Sequence, residues 1–98
     1  MSFHVYILRC ADKSYYTGHT DDLENRLQLH NDGVIEGYTK SRKPLELVFS
    51  ELFGTRIEAI EAERRIKSWS RAKKEALIAG DWATIQELAA RRTPNRER

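Results

Sequence analysis

The chain has 98 residues, a net charge of +2, and hydrophobic and charged fractions of 40% and 33%. That size suits one small domain with one modest core, and the composition is that of a well-charged globular protein, not a disordered segment. No apolar run nears the roughly 20 residues of a membrane span, no leader-like pattern opens the chain, and the lone Cys10 provides neither a disulfide nor a zinc cluster, so a cytoplasmic protein without membrane contact is expected.

In chain order, His4 to Cys10 is rich in β-formers, Ala11-Asp12-Lys13-Ser14 is a polar break, and Tyr15-Tyr16-Thr17 resumes strand character, which predicts an N-terminal hairpin whose second strand ends at Gly18. Asp21 with Glu24 has capping-box spacing for a helix to about Asn31, closed by Asp32-Gly33. A loop without clear period follows over Val34 to Lys43, and Leu45 to Phe53 is the longest β-like run. Thr55 with Glu58 opens a second helix to about Trp69, Ser70 offers a cap for a third that Gly80 terminates, and Asp81 caps a fourth. The order is β-β-α-β-α-α-α, an α/β or α+β domain with three strands and helices packed against them. It is expected to span residues 1–90, with a basic flexible tail over 91–98.

Charge is uneven along the chain. Residues 37 to 74 hold ten Lys/Arg against five Asp/Glu, whereas residues 1 to 36 hold three against six. A solvated helix face accounts for this as well as a phosphate-tracking surface does. On the second long helix, Ala59, Ala62, Ile66 and Trp69 form an apolar arc with Ile60 at its margin, and Glu63 falls inside that arc. A carboxylate there needs a partner, and either Lys67 at i+4 or a metal ion supplies one. On the first helix Arg26 and His30 share a side beside Leu23 and Leu27. A helical arginine usually lays its stem over the surface, yet its fork also matches phosphate. Tyr6 and Tyr16 lie on the two arms of the hairpin and suit sheet packing equally well.

Taken in order, His4-Val5-Tyr6, Tyr16-Thr17-Gly18, Arg26 and the helical Glu63 resemble the GIY-YIG nuclease superfamily, especially its small stand-alone bacterial members. Gly37 to Pro44 with Leu47-Val48, and Glu58 to Lys67 with Lys74 and Leu77-Ile78, extend the resemblance over residues 3 to 78. It implies a small three-stranded antiparallel sheet flanked by helices, and metal-dependent cleavage of a nucleic-acid phosphodiester, DNA in the first place. Tyr6 and Tyr16 match the tyrosines of the two triplets, Arg26 the arginine that meets the scissile phosphate and Glu63 the single metal-binding glutamate, while His30 stands where the superfamily has histidine or tyrosine.

One Mg²⁺ or Mn²⁺ ion, weakly bound without substrate, is expected at Glu63, because such an ion keeps most of its waters and takes phosphate oxygens. Tyr6 is the expected proton acceptor for water, and its ordinary pKa of about 10 calls for help from Arg26, the metal or His30. His19, Lys40, Arg42, Lys43, Lys67, Lys73 and Lys74 are the expected nucleic-acid contacts. The pattern departs from the superfamily in having His4 for glycine, Thr17 for an aliphatic residue, His19 where several relatives have lysine, and no asparagine between Glu63 and Pro94. A nucleic-acid-binding module that keeps the scaffold without turnover is the alternative, and oligomeric state is open.

Overall fold

The computed structural model describes residues 2–33 and 39–92. Its elements are β1 (Phe3–Arg9), β2 (Tyr15–Thr20), α1 (Leu23–Asn31), β3 (Glu46–Phe53), α2 (Arg56–Lys67), α3 (Arg71–Ala79) and α4 (Trp82–Arg92). This is the expected β-β-α-β-α-α-α order. The strands form one antiparallel sheet, β2-β1-β3, with β1 in the centre. Residues 34–38 of the expected loop, Gly37 and Tyr38 among them, and residues 93–98 of the expected tail lie outside the described residues.

The chain divides into two compact units, Met1–Lys67 and Ser68–Arg98. In the first, the β1–β2 turn is closed by the Cys10 N–H donating to the Ser14 carbonyl at 2.9 Å, with Lys13 in the left-handed region at φ 73°. The central position of β1 explains its composition. Val5, Ile7 and Leu8 are buried to 1% exposure or less, and each contributes about 1.5–3 kcal/mol by leaving water. The register pairs Val5 with His19, Tyr6 with Gly18 and Ile7 with Thr17, so Tyr6 and Gly18 share one face of the sheet and Val5, Ile7, Thr17 and His19 the other. Helix α2 packs on the second face through Ala59, Ala62 and Ile66, the buried part of the arc that its spacing predicts, while Glu58, Glu61, Arg64 and Arg65 are exposed. The Thr55 hydroxyl accepts from the Glu58 N–H at 3.2 Å and starts that helix as expected.

Two local expectations change. Asp22, not Asp21, caps α1, accepting from the Asn25 N–H at 3.2 Å, while the Asp21 carboxylate turns to Arg56 at 3.6 Å. Adjacent acids both fit a capping pattern, and the turn after Thr20 decides between them: the Thr20 hydroxyl accepts from the Asp22 N–H at 3.1 Å and fixes that residue at the helix start. Gly18 lies inside β2 and does not end it. The reason is a close approach by Tyr6, described below.

In the second unit the Ser70 hydroxyl accepts from the Lys73 N–H at 3.2 Å to open α3, and Gly80 closes it in the left-handed conformation at φ 73°. Asp81 then caps α4 through the Thr84 N–H at 3.1 Å, and α3 packs on α4.

Candidate active site

Gly18 is where β2 comes closest to the Tyr6 side chain. A Cβ there would lie 2.7 Å from the Tyr6 hydroxyl oxygen and 3.2 Å from Tyr16 Cε2, so only glycine lets the Tyr6 side chain cross to the edge of β2. At that edge Tyr6, Tyr16, Gly18, His19, Arg26 and Glu63 line one cleft of about 230 Å³, with Thr20, Asp21 and Arg56 completing its wall. Residues from β1, β2, α1 and α2 thus converge on one space. The five expected catalytic residues are brought together: four line the cleft, and His30 stands directly behind Tyr6.

Behind the cleft runs a buried polar chain. The Tyr6 hydroxyl lies 3.0 Å from His30 Nε2, and His30 Nδ1 lies 2.8 Å from Thr39 Oγ1. All three residues are at most 2% exposed. The Tyr16 ring meets His30 edge-on at 5.3 Å and tilts against Tyr6 at 6.4 Å, which fixes both planes. Burial, with Arg26 next in effect, holds His30 below its ordinary pKa, which favours the neutral imidazole with a single N–H at neutral pH. With that proton on Nδ1 the ring donates to Thr39 and accepts from Tyr6, which satisfies the whole chain. Tyr6 itself is pushed well above the ordinary tyrosine value, first by burial, then by Tyr16 and Glu63, with Arg26 opposing. Of the expected helpers, Arg26 acts in the expected direction on Tyr6, and burial of Tyr6 outweighs it in the free protein. Its buried hydroxyl keeps its proton because the phenolate would lose more hydration than Arg26 returns.

Glu63 sits on the opposite side of the cleft, its side chain 16% exposed. One carboxylate oxygen contacts His19 Nδ1 and the other Lys67 Nζ at 2.6 Å. Burial raises the Glu63 pKa, but hydrogen bonds from Lys67 and His19 more than offset it, and the net displacement is downward. The Lys67 pairing foreseen from i+4 spacing is present, and the carboxylate opens to the cleft as well.

The other expected nucleic-acid contacts differ in their surroundings. Lys40 and Lys43 are exposed, and Arg42 is tied to Asp12 at 3.0 Å beside a 2.9 Å bond from the Ala11 N–H to the Arg42 carbonyl. Lys73, in the second unit, is instead buried with its ammonium 4.3 Å from the Trp69 ring centroid, and Lys74 is half-buried. Thr39 was not foreseen from the sequence, because a single threonine in an aperiodic loop carries no pattern. Of the other cleft-lining residues, Asp21 reads in sequence only as a helix cap, and Arg56 carries no sequence signal of its own.

Among the described residues no group of three or more His, Cys, Asp or Glu side chains is placed to hold a metal by itself. One carboxylate and one imidazole facing a polar cleft fit an ion that draws its remaining ligands from water and a phosphate. No helix among the described residues is long and apolar enough to cross a membrane.

Residues 2–76 match the family described as GIY-YIG catalytic domain. A UPF0213 protein of Bacillus pumilus is 47% identical over 75 residues, 76% of each chain, and the UPF0213 protein YazA of Bacillus subtilis is 48% identical over 73 residues, 74% of each. Among solved structures, the solution structure of a UPF0213 protein from Bacillus halodurans aligns at TM-score 0.54 with 42% identity, covering 81% of this chain and 84% of that one. An E. faecalis protein aligns at TM-score 0.58 with 38% identity, covering 82% and 85%.

Proposed function

The chain belongs to the GIY-YIG family, and from that premise we propose that it is a divalent-metal-dependent endonuclease that hydrolyses phosphodiester bonds, DNA being the first substrate to test. The observation that carries the reading is the convergence of Tyr6, Tyr16, Arg26 and Glu63 on one cleft, with His30 as the immediate acceptor behind Tyr6.

Tyr6 works as a relay. As it takes a proton from the attacking water it passes its own to His30 Nε2, 3.0 Å away, so no free phenolate has to form in a buried site. Thr39 holds the imidazole proton on Nδ1 and leaves Nε2 open to receive. Tyr16, which lines the cleft and packs against both rings, orients the water. Arg26 presents its guanidinium to the phosphoryl oxygens, where charge grows in the transition state. Glu63 would hold the cation, which supplies Lewis-acid polarisation of the phosphate when bound.

The test is nicking of supercoiled DNA with Mg²⁺ or Mn²⁺ by the full chain and by Glu63→Ala and Tyr6→Phe. Both variants are expected to lose the product. Retained cleavage in both would refute the assignment, and salt-sensitive binding without metal-dependent product in the unaltered chain would favour a non-catalytic binding module.

A further inference from the structure

We propose that His19 is the second protein ligand of the cation at Glu63, so that the cleft prefers Mn²⁺, Co²⁺ or Ni²⁺ over Mg²⁺. The inference rests on the reading of Glu63 as a metal ligand.

The register places His19 opposite Val5 on the α2 face of the sheet, so its ring projects toward the helix that carries Glu63. There Nδ1 meets a carboxylate oxygen of Glu63 directly, 44 residues away in sequence, and both groups line the cleft that holds Tyr6 and Arg26. Lys67 takes the other carboxylate oxygen. Without a metal, two basic side chains therefore hold Glu63. They are not equivalent, because an ammonium has no lone pair to give while a neutral imidazole is a strong ligand for borderline ions. A cation held between Nδ1 and the carboxylate oxygen would require the ring proton that now bridges them to leave Nδ1, the neutral ring then carrying its one N–H on Nε2. The freed Nδ1 lone pair and the carboxylate would be its two protein ligands, with Lys67 still on the other oxygen.

A site made only of carboxylate, water and phosphate oxygens suits Mg²⁺ and Mn²⁺ about equally. Adding a nitrogen donor moves preference along the series from Mn²⁺ toward Ni²⁺ and leaves Mg²⁺ little changed, since Mg²⁺ favours oxygen. A lysine at position 19 cannot have this effect.

The experiment measures metal binding, not cleavage. Co²⁺ and Mg²⁺ affinities of the full chain are compared by calorimetry with those of His19→Asn and Glu63→Gln, with circular dichroism to establish folding. Asparagine keeps an N–H near the position of Nδ1 but has no imidazole lone pair. His19→Asn is expected to weaken Co²⁺ binding by about tenfold or more, the low end of what even an outer-sphere partner is worth to a metal site, and to leave Mg²⁺ binding nearly unchanged. Glu63→Gln is expected to lose both. Unchanged Co²⁺ affinity in His19→Asn, with loss in Glu63→Gln, overturns the role of His19 alone. Unchanged affinity in Glu63→Gln overturns the metal at Glu63 itself. If His19→Asn does not fold, the unaltered chain still decides: Co²⁺ should shift the His19 ring-proton resonances far outside the usual range, and their staying in place refutes the ligand.

Discussion

Replacing Gly18 by alanine tests whether Tyr6 is held as the structure places it. The new Cβ would stand 2.7 Å from the Tyr6 hydroxyl oxygen and 2.8 Å from its Cζ, so relief to ordinary van der Waals contact needs a movement of about 0.7 Å. Tyr6 has little freedom to give it. The side chain is 1% exposed, and its hydroxyl is tied to His30 at 3.0 Å. Overpacking of this kind costs about 1–3 kcal/mol in stability, and a displacement approaching 1 Å at a reacting group lowers rate by up to about 10²-fold. Gly54→Ala is the control, since its Cβ would have only the end of the Glu58 side chain at 3.9 Å. Denaturant titration and single-turnover nicking on the same preparations read both effects. A Gly18→Ala protein as stable and as active as the unaltered chain would refute the close approach and the relay built on it.

Three further outcomes are expected. Thr39→Val leaves the buried His30 N–H without its acceptor, which costs about 1–3 kcal/mol and lowers turnover with little change in KM, while Thr39→Ser restores both; ¹⁵N chemical shifts of His30 report the tautomer independently of activity. Because burial and Arg26 depress His30 below its unfolded value of 6.5, the unfolded chain takes up that proton first; the contribution of His30 to stability is complete above pH 6.5 and is lost as pH falls through the folded pKa. Chemical denaturation across that range should show this acid-side loss in the unaltered chain and not in His30→Gln, and equal pH slopes would refute it. Arg26→Lys keeps the charge but loses the fork, and should reduce single-turnover rate by about 10²-fold while leaving denaturation midpoints unchanged.

What the sequence made legible follows physical range. The strands, helix caps and apolar arc of α2 depend on residues within a few positions of one another, and they are present apart from the choice between adjacent Asp21 and Asp22, the continuation of β2 past Gly18, and Trp69, which lies beyond the end of α2 at Lys67. Glu63 was visible for the same reason, since helical spacing alone puts it beside Ala59 and Ala62. Contacts across long stretches of chain were not visible. The bond from Tyr6 to His30 spans 24 residues and the contact from His19 to Glu63 spans 44, and no local periodicity encodes either. Gly18 was misread because a glycine that ends a strand and a glycine that admits a neighbouring side chain look alike until the cross-strand partner is known.

The signs of the interactions around Tyr6 explain why one carboxylate can serve such a cleft. Burial, Tyr16 and Glu63 keep the hydroxyl protonated, and Arg26 alone of the named groups works against them. A phosphate that engages Arg26 adds negative charge and draws off that opposition, so substrate by itself makes proton removal harder. Positive charge placed beside Glu63 acts in the other direction, cancelling a contribution that raises the Tyr6 pKa. In the proposed mechanism a cation at Glu63 would offset the negative charge that a bound phosphate adds, with His30 as the acceptor. Lys67 and His19 already contact Glu63 in the free protein, and Tyr6 stays protonated there. Lys67→Ala should then leave Glu63 more available to a cation and tighten Mg²⁺ binding in calorimetry. Weaker Mg²⁺ binding in that variant would show that Lys67 positions the carboxylate and does not compete for it.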